Sequence, residues 1–403
     1  MKITSIKTAV VEANFDWTFV RVYTDEGLYG TGECFFAPGL TAAIRDIAEV
    51  IVGQDPRSID YLTKLMRRAT SCAGASGGTV IHAITGIEFA LWDLLGRHLK
   101  APVWQLLGGK WRDQVRIYAD SHGGHTLESM GPCTLPRTPQ WCKVQPGTAE
   151  SDRESFSPSG YAAMARQVVA KGFTALKFDI DIFTSHHTCE TRPLKSDEIR
   201  FQISLVRAVR EAVGPEIDIA IDCHWRYNVN DVLKIARGCE PYELMWLEDP
   251  MPPENLDNLA LLARQTKTPI CTGENAYLVH GFRSLVQTNA CHIIAPDFQK
   301  SGGVLEARRI ADLADAYFIP VAPHCIASPI GTMQSAHICA TLPNFLVLEF
   351  HAMDVPFFDG LIAGDGQPLI RNGQVTITDE PGFGIELNEE VARAYAKPGE
   401  PFF

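Results

Sequence analysis

From about residue 115 onward the sequence repeats one unit: a short apolar run that stops abruptly at a charged or polar residue, then a segment of helical length. The runs are Ala175–Asp179, Ile219–Asp222, Leu244–Glu248, Pro269–Glu274, Ile293–Asp297, Ile319–His324 and Phe345–Glu349, with an eighth expected over Val115–Asp120. Amphipathic segments at 196–213, 229–239, 254–266 and 302–316 separate them. Strands that alternate with helices pair in parallel through helical crossovers. Eight such units in roughly 250 residues close into a barrel, so the fold class is α/β and TIM-like.

The first hundred residues follow a different grammar. Residues 2–11 and 18–24 alternate as strands, Asp25-Glu26-Gly27 makes a turn, and 28–35 supplies a third strand. Gly27, Gly30 and Gly32 fall inside this hairpin rather than between a strand and a helix, which argues against a dinucleotide fingerprint. Helical periodicity follows at 40–51, 56–69 and 79–99. The expected division is an α+β capping domain at 1–114, a barrel at 115–354, and a segment at 355–403 that returns to the first domain. Turn signals at Asp359-Gly360, Asp365-Gly366 and Asn372-Gly373 predict a small sheet in that last segment. Two irregular stretches, 121–158 and 183–196, each follow a barrel strand and so belong over its C-terminal face.

Composition narrows the partners. A formal charge of -12 without any run of five like charges disfavours nucleic acid and anionic membranes. No segment approaches 18 uninterrupted apolar residues and the first 14 lack a signal-peptide core, so a cytoplasmic protein is expected. The eleven cysteines contain no CxxC pair, and Cys223, Cys271, Cys291 and Cys325 sit in or beside apolar runs, where reduced thiols pack as small hydrophobes.

Asp222, Glu248 and Glu274 each end a predicted strand, at equal intervals of 26 residues. One βα unit advances one position around the barrel, so three carboxylates meet at one height on one rim. They repel one another unless a cation lies between them. Oxygen ligands without Cys or His neighbours suit Mg²⁺, with Mn²⁺ as a substitute. Asp297 and His324 continue the series over two further strands, and Asp297 is placed to hydrogen-bond the imidazole and raise its basicity. Glu349 ends the strand after that. A base with its orienter, opposite a metal, is the equipment for removing a proton beside a carboxylate. His186, His187 and Cys189 lack a fourth ligand, and a zinc site there is not expected.

With these residues in view, the chain resembles the enolase superfamily, in its mandelate racemase branch. The resemblance runs through Gly86–Asp93, Pro102–Gly109, Trp246-Leu-Glu-Asp-Pro250, Gly273-Glu-Asn275, and Pro296-Asp297 followed by Gly302-Gly303. It implies a capping domain over a modified (β/α)7β barrel and a homo-oligomer, from dimer to octamer. It also implies Asp222, Glu248 and Glu274 as Mg²⁺ ligands, the His324–Asp297 dyad as base, and Glu349 as stabiliser of an enediolate.

One element departs from that pattern. Racemases of this branch carry Lys-x-Lys on the second barrel strand, and here the sequence reads Lys177-Phe178-Asp179. An aspartate does not replace the second lysine as a base, which argues against two-face racemisation. Lys177 is expected to hold the substrate carboxylate or tune a neighbour, and Asp179 to bind a hydroxyl. Asp222-Cys223-His224 resembles the galactonate dehydratase type, in which that histidine is the general acid on the departing hydroxyl. The expected activity is thus an acid-sugar dehydratase that yields a 2-keto-3-deoxy acid from a small sugar-acid substrate. A racemase or epimerase, or a barrel that only binds a sugar acid, are the alternatives. Trp17, together with Phe15, Asp16, Phe35 and Phe36, is expected to close over the substrate from the cap, with His122 and His125 contributing from the barrel side.

Overall fold

The computed structural model describes residues 1–121, 156–181, 192–364 and 366–403. Its N-terminal part begins as an antiparallel meander of β1 (Ile3–Glu12), β2 (Asp16–Thr24) and β3 (Tyr29–Cys34). Helices α1 (Leu40–Ala48), α2 (Ile59–Ala69) and α3 (Gly78–Leu99) cover it. The glycines in the hairpin have a packing reason. A Cβ on Gly30 would lie 2.1 Å from the Ala90 carbonyl and one on Gly32 2.3 Å from that of Gly86, so only glycine lets β3 meet α3 this closely. By length and composition α3 is apolar enough to cross a membrane, but 78% of its apolar window is buried, as in a central core helix.

The barrel strands are β4 (Gln114–Asp120), β5 (Ala175–Asp179), β6 (Asp218–Asp222), β7 (Trp246–Glu248), β8 (Ile270–Thr272), β9 (Ile293–Ile294) and β10 (Leu348–Phe350). They pair in parallel in chain order, Val321 bridges Ile294 to Phe345 in the seventh position, and β10 closes onto β4. Among the described residues, seven helices connect these eight positions: α4 (Pro158–Ala170), α5 (Ser196–Val213), α6 (Val229–Cys239), α7 (Leu256–Gln265), α8 (Leu278–Gln287), α9 (Val304–Asp315) and α10 (Pro329–Ala340). This is the (β/α)7β form. Tyr118, Ala175, Ala220, Trp246, Ala322 and Val347 help fill the barrel interior.

Two buried glutamates of the cap dock it onto the barrel. Glu33 accepts from the backbone N–H groups of Ser328 and Gly331, both at 2.8 Å, and from the Ser328 hydroxyl, at the start of α10. Glu88 accepts from Val304 and Leu305 N–H at 2.7 and 3.1 Å, at the start of α9, and from the Trp92 indole at 2.9 Å. Each satisfies first-turn donors that have no partner within their own helix. Gly303 leaves the room: a Cβ there would sit 2.3 Å from the Glu88 carboxylate.

Within the tail, the small sheet departs from expectation. Its hairpin, β11 (Ile370–Arg371) and β12 (Gln374–Thr376), turns at Asn372-Gly373 and pairs with β4 of the barrel, through Val375 opposite Val115, rather than with the cap. From Gly382 onward the tail does return to the cap: Gly382 bridges Pro102, the Phe383 N–H donates to Asp93, Glu389 pairs with Arg21 of β2, and Ala396 and Phe402 bridge to Val11 and Ala9. The eight cysteines among the described residues are all free, and seven are buried. His122, His125, His186, His187 and Cys189 lie outside the described residues.

Candidate active site

Asp222 and Glu248 are direct cross-strand neighbours on β6 and β7, and Glu274 follows β8 after a bend at Gly273. Each offers an oxygen within 4.8 Å of the others, and all three are buried. Glu248 is fully enclosed. Burial drives its carboxyl well above the usual range, with Asp222, Glu349 and Glu274 adding to the rise against Lys177. Burial also pushes on Asp222, but His224 and Lys177 hold it well below the usual range. Three converging, desolvated oxygen donors of this kind fit a hard divalent cation.

Lys177 occupies the floor of this cluster. Its ammonium donates to Asp222 at 2.9 Å and Glu248 at 2.8 Å, lies 2.9 Å from Glu349, and is 2% exposed. Burial lowers its pKa, but Glu248 and Glu349 outweigh that and hold it well above the ordinary lysine value. Three carboxylates surround this ammonium, two of them as hydrogen-bond acceptors, so it serves as their countercharge.

On the seventh position, His324 Nδ1 lies 2.7 Å from Asp297 Oδ2. Its Nε2 faces Glu274 at 3.4 Å and Glu349 at 3.8 Å. Burial lowers the imidazole pKa, but Glu274, Glu349 and Asp297 together raise it to about 10. Glu349 Oε2 also accepts from the Cys325 N–H at 2.9 Å.

His224 reaches the site by a different route from the one expected. The strand does not continue: His224 and Trp225 adopt φ of 41° and 61°, and the His224 N–H folds back onto Asp222 Oδ1 at 3.0 Å. The ring then sits with Nδ1 3.2 Å from Asp181 and Nε2 3.9 Å from both Asp179 and Asp222. Against burial, Asp222, Asp179 and Asp181 raise it well above the ordinary histidine value. Asp179, Asp181 and His224 also each offer a ligand atom within 4.8 Å of the others. Asp181 carries no signal in the sequence beyond its place after a strand end.

The cap supplies aromatics above the mouth. Phe35 lies 6.0 Å from the His324 ring, and Phe15 and Phe36 stack at 5.3 Å. A narrow cleft lined by Phe15, Phe35, Phe36, Asp297 and Ile326 runs between cap and barrel. Trp17 also borders it, but it is 2% exposed, packs edge-on against Phe357 and Phe358, and gives its indole N–H to the Ile326 carbonyl at 3.0 Å. Its indole N–H is thus committed to the barrel, and Trp17 ties the cap to it. A further pair was not anticipated: His351 Nε2 lies 2.6 Å from Asp120 Oδ2 at the barrel mouth.

Known proteins agree with this architecture. Residues 3–108 match the family model described as "Mandelate racemase / muconate lactonizing enzyme, N-terminal domain", and residues 160–391 match "Enolase C-terminal domain-like". A D-xylonate dehydratase of Haloferax volcanii is 40% identical over 100% of this chain and 90% of its own length. A D-galactonate dehydratase of Pectobacterium atrosepticum is 29% identical, over 97% and 93%. Among solved structures, a mandelate racemase/muconate lactonizing enzyme-like protein of Rubrobacter xylanophilus superimposes with a TM-score of 0.89 at 40% identity, covering 100% of this chain and 99% of the other. With both domains matched and a full-length relative at this identity, the chain belongs to the mandelate racemase/muconate lactonizing enzyme family of the enolase superfamily.

Proposed function

We propose that this protein is a Mg²⁺-dependent dehydratase of aldonic acids, and that D-xylonate is the first substrate to test. The observation that carries the reading is the placement of two histidines on opposite sides of the carboxylate triad. His224 follows the third barrel strand and His324 lies on the seventh, four positions away around an eight-position barrel. The full-length relative with xylonate dehydratase activity in its name supports the choice of substrate.

Asp222, Glu248 and Glu274 would hold the cation. When bound, it supplies positive charge to the substrate carboxylate, which acidifies the C2 proton and replaces the repulsion among the three anions with attraction. His324, oriented through Nδ1 by Asp297, takes the C2 proton on Nε2. Glu349, kept beside Lys177, faces the same side and shares in fixing the charge that develops on the acid. His224, held protonated by Asp179 and Asp181, delivers a proton to the departing C3 hydroxyl. Water leaves, and the resulting enol becomes a 2-keto-3-deoxy acid. Asp179 stands where a second base would be needed for racemisation, and its neighbour His224 makes it an electrostatic partner of the acid instead. The free, buried thiols suit a reducing cytoplasm, and the family suggests a homo-oligomer.

The test is a screen of the purified protein with Mg²⁺ against five- and six-carbon aldonates and aldarates, reading 2-keto acids as semicarbazones. Keto-acid formation from D-xylonate that disappears with chelator is the expected result. Recovery of substrate epimerised at C2, with no keto acid from any member, would overturn the dehydratase reading.

A further inference from the structure

Inward-facing positions alternate along each barrel strand, so the residue two beyond an interior side chain stands one layer higher in the mouth. Tyr118 fills the interior on β4, and two positions on is Asp120. Val347 fills it before β10, Glu349 comes next, and then His351. Because Phe350 pairs with Ala119, His351 and Asp120 arrive side by side, with Nε2 and Oδ2 2.6 Å apart. Both side chains are at least nine-tenths buried, at 10% and 4% exposure.

This pair is tied to the cap as well. Asn14 donates from its amide to the His351 carbonyl at 2.7 Å, and the Phe15 ring meets the imidazole edge-on at 5.5 Å. The same loop that lies over the mouth therefore fixes the backbone and ring of His351.

Position around the rim assigns the pair a task. The carboxylate triad occupies strand positions three to five, the acid His224 follows position three, and the base His324 lies on position seven. An aldonate whose carboxylate lies at the triad, and whose C2 and C3 lie between the two histidines, must extend the rest of its carbon chain over positions eight, one and two. Those positions carry His351, Asp120 and Asp179. An imidazole backed by a carboxylate has a defined tautomer or charge, and a polyol chain offers hydroxyls that such a group can distinguish from hydrogen.

We propose that His351, positioned by Asp120, binds the hydroxyls of the substrate beyond C3 and so selects the length and configuration of the aldonate chain. The assignment rests on the dehydratase reading. It makes His351 the residue that meets the distal hydroxyls, and Asp120 a positioning residue.

The test compares wild type, His351→Asn and Asp120→Asn on D-xylonate and its 4-deoxy and 5-deoxy analogues, in kcat/KM for keto-acid formation and in Kd for each acid with the Mg²⁺ enzyme. Losing one of the two hydroxyls should cost the wild type about 10- to 100-fold in kcat/KM. His351→Asn should show the same loss on D-xylonate, and should differ from wild type by less than about threefold on that deoxy analogue, since the partner is already gone. Asp120→Asn should follow the same pattern more weakly, mainly in KM. Equal losses on all three acids would overturn the proposal and make the pair structural. No change on any would overturn it too. If the wild type neither binds nor dehydrates any of the three acids, the dehydratase reading falls and takes this assignment with it. If it dehydrates all three alike, only the subsite assignment falls.

Discussion

Lys177 shows how far a single residue's chemistry depends on what surrounds it. With three carboxylates on one buried ammonium, Lys177→Met leaves their charge uncompensated, and the metal-free protein should lose about 3–5 kcal/mol. Saturating Mg²⁺ should restore most of the loss, because it supplies a replacement cation. Thermal melts with chelator and with Mg²⁺ measure this directly, and equal Tm losses under both conditions would refute the countercharge role. His324 gives a second residue-scale expectation. Its pKa is raised to about 10 chiefly by Glu274 and Glu349. Without metal the ring therefore stays protonated at neutral pH and loses its proton only as pH rises through that value. Engaging Glu274 with Mg²⁺ should lower the midpoint by two units or so, at about 1.4 kcal/mol per unit. An NMR titration of the His324 ring with and without Mg²⁺ would show the shift, and an unchanged midpoint would sink it. The triad was readable because three acidic strand ends share one spacing. His351 was not, because a lone histidine past a strand end looks like any packed one until Asp120, far away in sequence, is seen beside it. The crowding of Lys177 was hidden for a related reason, since sequence spacing does not say how many anions converge on one ammonium.

At the scale of elements, legibility followed amphipathicity. Helices α5 and α6 match their expected spans because each has one buried and one solvent face to set the period. Every residue of α10 is buried, so no polar face exists to mark it. The seventh strand is reduced to a bridge at Val321, yet its apolar run and terminal histidine still disclosed it. The docking of cap to barrel through Glu33 and Glu88 was not visible, because both helix starts they cap are built from distant segments. Burial raises Glu33 from 4.5 to about 7 against three hydrogen bonds. The sign follows by linkage. The unfolded chain releases this proton near 4.5 while the native protein keeps it, so the group's stabilisation is full below 4.5 and lost as pH rises to about 7. Glu33→Gln cannot titrate, so its Tm relative to wild type should rise by roughly 2–6 °C between pH 4.5 and pH 8. A constant difference across that range would show that Glu33 is already ionised in the native state at pH 4.5.

The whole molecule places a preassembled cap over a barrel mouth in which charge is sorted by side. The carboxylate triad and Lys177 lie on strand positions two to five, His324 lies on position seven, and His224 follows position three with Asp179 and Asp181 beside it. Such sorting was largely legible from strand-end spacing, whereas the docking of the tail hairpin was not. The turn at Asn372-Gly373 predicts a hairpin but says nothing about which strand receives it, and the stretch it found was Gln114–Arg116 of β4, ahead of that strand's barrel pairings. The central claim is that His324 removes the C2 proton and His224 protonates the leaving hydroxyl. The direct measurement is turnover of the active aldonate in D₂O with Mg²⁺, following C2 deuterium by NMR alongside keto-acid formation. His224→Asn should lower keto-acid formation by about 10²-fold or more while C2 exchange continues, and His324→Asn should abolish both with Mg²⁺ still bound. Wild-type keto-acid formation in either variant would contradict the account.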